Sequence, residues 1–170
     1  MKERVILLTM LGGIALNATS ASSTHRPQLI WNATSSVPIG LYRIVSADPL
    51  TVGTLVVVKT PPSFARLFSE RAYLPLGVPL VKPIAAMAGD AVCRHGRNVT
   101  IDSRVAAIAL DRDRLGRKLP RWQGCRRVAA SEVFLLATSR PDSLDSRYFG
   151  PVPVSSVIGR AVPLWLIRGR

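Results

Sequence analysis

The sequence predicts a mainly β fold built as one compact domain. After residue 28 the chain consists of short apolar runs separated by proline and glycine, of which the whole chain has 13 and 12, a pattern typical of strands and turns. Helical periodicity is credible in one segment only. The 170 residues, 48% of them apolar and 19% charged, suffice for one hydrophobic core but not for two ordinary domains.

The first element is predicted to be an export signal. A basic start, Met1–Arg4, precedes the uncharged apolar run Val5–Leu16 and then small polar residues, which is the layout of a secretory signal. As a helix, this run covers only about 18 Å of a hydrocarbon core of about 30 Å. We expect residues 1–22 to be a signal peptide or membrane anchor, followed by one domain over 28–170. A buried first helix of a cytosolic domain is the alternative.

The elements of the domain follow from local patterns. One helix is predicted over Ser63–Tyr73, where Phe64, Leu67 and Phe68 share a face behind two prolines. Arg97-Asn98 is predicted as a hairpin tip. The apolar runs predict strands over Leu41–Val45, Thr54–Lys59, Leu80–Ala86, Ala91–Arg94, Val99–Ile101, Val105–Leu110, Glu132–Ala137 and Val157–Val162.

The composition changes over residues 93–127, where charged, loop-like stretches predict a small β subdomain inserted into the main sheet. Cys93 and Cys125 are the only cysteines, and in an exported chain they favour a disulfide, with two free thiols as the alternative. A Cys/His zinc site would need both of them with His25 and His95, whose spacing does not fit. We expect no metal and no cofactor.

Most catalytic templates are absent from the sequence, including HExxH, the phosphate-binding P-loop and CxxC. A Ser-His-Asp triad would depend on His25 or His95, and neither lies in a suitable context. A serine with a lysine base remains. Ser35 and Ser36 precede Pro38-x-Gly40, and this spacing predicts a tight turn that can hold a serine at an exposed corner, although an ordinary turn has the same pattern.

Lys82 is the candidate base, since it is the only charge between Arg71 and Asp90. An apolar strand on both sides favours burial of the amine, and burial favours its neutral form. Deprotonating an ordinary lysine at pH 7 costs about 4.6 kcal/mol, which burial can supply. A lysine that reaches solvent from a strand edge is the alternative. Lys59 is a rival base, but it borders a loop and is expected to be exposed.

Three segments resemble the signal peptidase I family and, most closely, its TraF branch from conjugative plasmid transfer. They are Asn32–Tyr42, with Asn-x-Thr-x-Ser-x-Pro-x-Gly-Leu-Tyr; Leu80–Asp90, with Leu-Val-Lys-Pro-Ile-Ala-Ala-x-x-Gly-Asp; and Asp142–Val152, with Asp-Ser-x-Asp-Ser-Arg-Tyr-Phe-Gly-Pro-Val. The resemblance covers roughly residues 28–165. It implies a mainly antiparallel β catalytic domain with a smaller inserted β region, in agreement with the pattern of strands.

The resemblance implies that Ser36 is the nucleophile and Lys82 the general base. The hydroxyl of Thr34, two residues before the nucleophile, and the Ser36 N–H would form the oxyanion hole. Ser35 is the alternative nucleophile, because it fits the Ser-Met-x-Pro spacing of leader peptidases better. If it were the nucleophile, Ala33 would stand at the oxyanion position without a hydroxyl.

The third segment and the residues just before it hold two carboxylates, several hydroxyls and two arginines close together, which could form a polar network that orients a lysine. The resemblance implies that Ser143 and Asp145 hold Lys82 in place. The alternative is an ordinary turn with caps and salt bridges and no role toward the lysine. One departure is that Thr138-Ser139-Arg140-Pro141 replaces the family's Gly-Asp-Asn-Arg before this segment.

The activity implied is a Ser/Lys peptidase in the periplasm, at the outer face of the inner membrane, which processes a pilin precursor at its C-terminus and joins its ends. A net charge of +13 favours anionic lipid as a partner, while 6% aromatic residues offer few platforms for nucleic acid. A general signal peptidase is the alternative enzyme, and a basic assembly protein of the conjugation apparatus is the alternative without catalysis.

Overall fold

Residues 28–167 are described by a computed structural model, and they form two antiparallel sheets. The mainly β fold that the sequence predicts is confirmed. The predicted signal or anchor over 1–22 lies outside the described residues. Within the described range, the helices are all too short or too polar to cross a membrane.

The strands and helices are short and follow one another closely. The helices are α1 (Pro62–Glu70) and α2 (Ser146–Phe149), with a 3₁₀ turn at Val154–Ser156. The strands are β1 (Leu29–Asn32), β2 (Gly40–Val45), β3 (Leu55–Val58), β4 (Leu80–Ala86), β5 (Ala91–His95), β6 (Asn98–Ile101), β7 (Arg104–Ile108), β8 (Gly124–Arg127), β9 (Glu132–Leu135), β10 (Val152–Pro153) and β11 (Val157–Leu166).

The main sheet has the strand order β1-β2-β11-β3-β4-β9-β10. Its centre is apolar because β3 reads Leu-Val-Val-Val and is buried along most of its length, as β-branched residues favour. The register of β3 against β4 places Val56 opposite Lys82 and Val57 opposite Val81. Lys82 therefore projects from one of the innermost strands of the sheet.

Helix α1 packs on this sheet through Phe68, which is 1% exposed. Pro62 stands in the first turn, where its missing N–H costs no hydrogen bond. The helix ends at Glu70, earlier than the predicted Tyr73, because Ala72 adopts a φ of +56°. Most of the residues from Tyr73 to Pro79 line the cleft that is described below.

The second sheet spans residues 91–127 with the order β7-β6-β5-β8. Cys93 lies directly opposite Cys125, and their sulfurs are bonded. The hairpin between β5 and β6 turns at Gly96-Arg97, one residue before the predicted tip. The reason is Gly96, whose φ of +61° suits a tight turn without the steric cost that a side chain would add.

Three strands have no counterpart among those predicted: β1, β8 and β10. Strand β8 reads Gly-Cys-Arg-Arg and is mostly exposed, so no apolar alternation marks it. Strand β11 is predicted to end at Val162, but it continues to Leu166 past Pro163, where its register against β2 shifts. A bulge is a position where a strand accommodates a proline.

Candidate active site

Ser36 lies in the turn between β1 and β2, with a Ser-Val-Pro sequence that bends the chain before Gly40 begins the next strand. The Ser36 side chain is buried, at 8% exposure, and its Oγ lies 3.1 Å from the Thr34 Oγ1. No residue in the described range accepts a hydrogen bond from the Ser36 N–H. Ser35, in contrast, is exposed.

A cleft of about 720 Å³ brings the three sequence segments together. Its walls include Thr34, Ser36, Lys82 and Ser143, and also Ser35. The rest of the lining is largely apolar, with Ile30, Phe68, Leu74, Val78, Leu80, Val81 and Leu144 among its members. The cleft can therefore take an extended apolar peptide past Ser36, Lys82 and three further serine and threonine hydroxyls.

Lys82 is buried in this cleft, at 4% exposure. Its Nζ donates a hydrogen bond of 2.8 Å to the Ser143 Oγ. Burial lowers the pKa of Lys82 to about 8, although the negative charge of Asp145 opposes that shift. Deprotonating the amine at pH 7 then costs only about 1 kcal/mol, well below the cost for an exposed lysine. An amine with this pKa can accept a proton near neutral pH.

Asp145 does not line the cleft but lies fully buried behind it, at the start of α2. Its carboxylate accepts the N–H of Ala137 at 3.0 Å and forms an ion pair with Arg147, whose Nε lies 2.7 Å away. Arg147 is 1% exposed and also donates to the Ala137 carbonyl at 2.8 Å. Breaking a buried pair of this kind leaves an uncompensated charge and costs about 3–5 kcal/mol.

A second guanidinium links this loop to the other sheet. Arg94, on β5, is 1% exposed and donates to the Arg147 carbonyl at 2.6 Å, with its guanidinium over the Tyr148 ring. The sequence indicated that Arg147 belongs to a polar network around the third segment, but it gave no signal for Arg94. The partners of Arg94 in this network, Arg147 and Tyr148, lie more than fifty positions away.

Ser36 and Lys82 both line the cleft but are not hydrogen-bonded to each other. Ser36 is hydrogen-bonded to Thr34 and Lys82 to Ser143, and no hydrogen bond joins Ser36 to Lys82, both of which are described. The Ser36 hydroxyl and the Lys82 amine therefore each have a separate partner in this state of the cleft.

The other residues weighed from the sequence lie elsewhere. Lys59 is exposed at the end of β3, away from the cleft lining. His95 is exposed on β5, with its Nε2 3.4 Å from the Cys125 sulfur. Since that sulfur is bonded to Cys93, it is not free to bind a metal. His25 lies outside the described residues.

Comparison with known proteins identifies relatives along most of the chain. The sequence profile of the family described as "Signal peptidase, peptidase S26" matches residues 1–166. A probable conjugal transfer protein TraF of Sinorhizobium fredii is 37% identical over 141 residues, which is 76% of this chain and 73% of that protein. A conjugal transfer protein TraF of Agrobacterium tumefaciens is 35% identical over 97% of this chain and 98% of its own length.

Among solved structures, the chain is similar to a signal peptidase I from Enterococcus faecalis V583. The two share 18% identity with a TM-score of 0.40, over 68% of this chain and 98% of that one.

Proposed function

The chain belongs to the peptidase S26 family of signal peptidases, and we propose that it is a serine peptidase of conjugal transfer. In this proposal it cleaves a pilin precursor through an acyl-enzyme on Ser36, with Lys82 as general base, and joins the ends of the product. The role in conjugal transfer rests on similarity to TraF proteins along almost the whole chain.

One observation carries the mechanism: a buried lysine amine with a pKa of about 8 shares an apolar cleft with a buried serine. A serine hydroxyl is a weak nucleophile unless a base takes its proton. Lys82 can be that base, because burial lowers the pKa of its amine and so favours the neutral form. Ser143 orients the amine by accepting a hydrogen bond from it, and Asp145 and Arg147 fix the loop that carries Ser143.

In the first step, the Ser36 Oγ attacks the carbonyl carbon of the scissile bond while its proton passes to the Lys82 Nζ. The Thr34 hydroxyl and the Ser36 N–H donate to the oxygen that becomes negative. As the C–N bond breaks, the Lys82 ammonium returns a proton to the departing amine. The acyl part of the substrate is left as an ester on Ser36.

In the second step, an amine or a water molecule attacks this ester, and Lys82 moves the proton of the attacking group to the Ser36 Oγ. Attack by the substrate's own amino group closes a ring, whereas water gives a linear product. Ligation prevails when the amine is held beside the ester, since well-oriented intramolecular reactions reach effective concentrations of about 10⁵ M or more.

The proposed location is the outer face of the inner membrane, in the periplasm, with anionic lipid as a partner. An exposed apolar patch beside the cleft supports this. Trp31 on β1 and Trp165 on β11 are 47% and 60% exposed, with ring centroids 5.8 Å apart. Trp31 also lines the cleft. Exposed tryptophans suit a membrane interface, and the charge of +13 favours anionic headgroups.

Intact-mass spectrometry of the cognate pilin, co-expressed with the full chain, tests the proposal. We expect a trimmed pilin that is one water lighter than the linear chain of the same residues and has no free N-terminus. The matched control is co-expression with Ser36→Ala, which should leave the precursor unprocessed. A linear trimmed product would reject cyclisation, and cleavage of leaders from unrelated precursors would favour a general signal peptidase.

A further inference from the structure

The amide of Asn32 is fully engaged by the turn that carries Ser36. Asn32 is the last residue of β1 and is 5% exposed. Its Nδ2 donates to the carbonyl oxygens of Thr34, Val37 and Pro38 at 2.8, 3.2 and 3.0 Å. Its Oδ1 accepts from the N–H and the hydroxyl of Thr34 at 3.2 and 3.0 Å. One side chain therefore ties together both ends of the turn.

These contacts also fix the direction of the hydroxyl protons. With the Asn32 amide reversed, its NH₂ would face the Thr34 N–H and its oxygen would face three carbonyls, so only one orientation fits. Since Oδ1 can only accept, the single hydroxyl proton of Thr34 points to Asn32. Thr34 Oγ1 is then the acceptor for the Ser36 hydroxyl at 3.1 Å.

We infer that Asn32 is a positioning residue that holds the Thr34 hydroxyl beside Ser36 and accepts its hydrogen bond until the oxyanion forms. The inference rests on the proposed function, in which Thr34 is an oxyanion donor. When Ser36 attacks the substrate and gives its proton to Lys82, the carbonyl oxygen of the scissile bond becomes negative. That oxygen is a stronger acceptor than an amide, so the Thr34 hydroxyl turns toward it. The Thr34 N–H stays bonded to Asn32 and keeps the backbone in place.

A double-mutant cycle on kcat tests this, with the full chain in membrane vesicles and the cognate pilin precursor as substrate. Thr34→Val removes one oxyanion donor and should lower kcat by about 10²- to 10³-fold. Asn32→Ala should lower kcat at least about tenfold with little change in KM, because it acts on the same donor. The double variant should be little worse than Thr34→Val alone, since the two changes remove one function.

Losses that multiply in the double variant would overturn the inference, because a merely structural role of Asn32 does not depend on the Thr34 hydroxyl. If Asn32→Ala does not fold, Asn32→Leu enters the same cycle, because leucine has a similar shape but no oxygen to accept the Thr34 hydroxyl.

Tyr42→Phe is the matched control. The Tyr42 hydroxyl donates to the Pro38 carbonyl at 2.6 Å, to which Asn32 also donates, but among the described residues it forms no hydrogen bond with Thr34. Its effect should multiply with that of Thr34→Val, and a coupling as large as that of Asn32 would overturn the inference. Ser36→Ala distinguishes failure of the proposed function from failure of the inference about Asn32. If that variant retains activity, the proposed function itself fails. If it is inactive while the Asn32 and Thr34 losses multiply, only this inference fails.

Discussion

Ser36→Ala is expected to abolish processing of the pilin precursor, with a loss of at least about 10⁴-fold, because without the Oγ no acyl-enzyme can form. The fold should be retained, since alanine fits the space of serine. Processing is measured by the mass of the pilin made beside each variant.

The neighbouring serine supplies the control for this prediction. Ser35 is exposed and also borders the cleft. Ser35→Ala therefore removes a hydroxyl oxygen from the same turn, as Ser36→Ala does. It should retain substantial activity. If Ser35→Ala is inactive and Ser36→Ala is active, the nucleophile has been assigned one residue too late.

Lys82→Ala and Lys82→Arg should both lose about 10²- to 10⁴-fold in kcat, the range of general-base catalysis. The arginine variant keeps a positive charge but cannot accept a proton, because a guanidinium stays protonated at any working pH. Lys59→Ala is the control: Lys59 is exposed and its removal should leave activity intact. An active Lys82→Arg would contradict the assignment of the base.

The same assignment fixes the pH dependence. The neutral form of Lys82 is the base, and its pKa is about 8. Since the neutral fraction grows as pH rises, kcat/KM of the natural chain should increase through pH 8 and level off above it. A rate that falls over this range would contradict the proposed role of Lys82.

The fold class was predictable because β3 and β4 are apolar runs bounded by turn residues, which mark a strand locally. Strand β8 was not, because Gly124-Cys125-Arg126-Arg127 carries no alternation and most of the strand lies at the surface. It exists through its pairing with β5, a contact between segments about thirty residues apart. Local pattern cannot predict such a strand.

Local sequence likewise predicted one part of the candidate site and not the rest. The apolar neighbours of Lys82 predicted a buried amine, and the side chain is 4% exposed. Its hydrogen bond to Ser143 spans sixty-one positions. The polar residues of the third segment suggested a network that orients a lysine, but only the family resemblance singled out Ser143. Asn32 belongs to the first of the three motifs, but the sequence predicted no role for it. Its role depends on hydrogen bonds to Thr34, Val37 and Pro38, which form only once the turn has folded. The roles of Ser36 and Lys82 remain predictions.

Trapping of the acyl group is a direct test for the ester on Ser36. The full chain is mixed with the pilin precursor in the presence of hydroxylamine, which attacks esters faster than water does. If the ester forms, we expect a pilin fragment that ends in a hydroxamate at the cleavage site, in competition with ring closure, and none with Ser36→Ala. Complete cleavage by the natural chain to a linear acid, with neither hydroxamate nor ring, would show direct attack by water and would rule out the ester on Ser36.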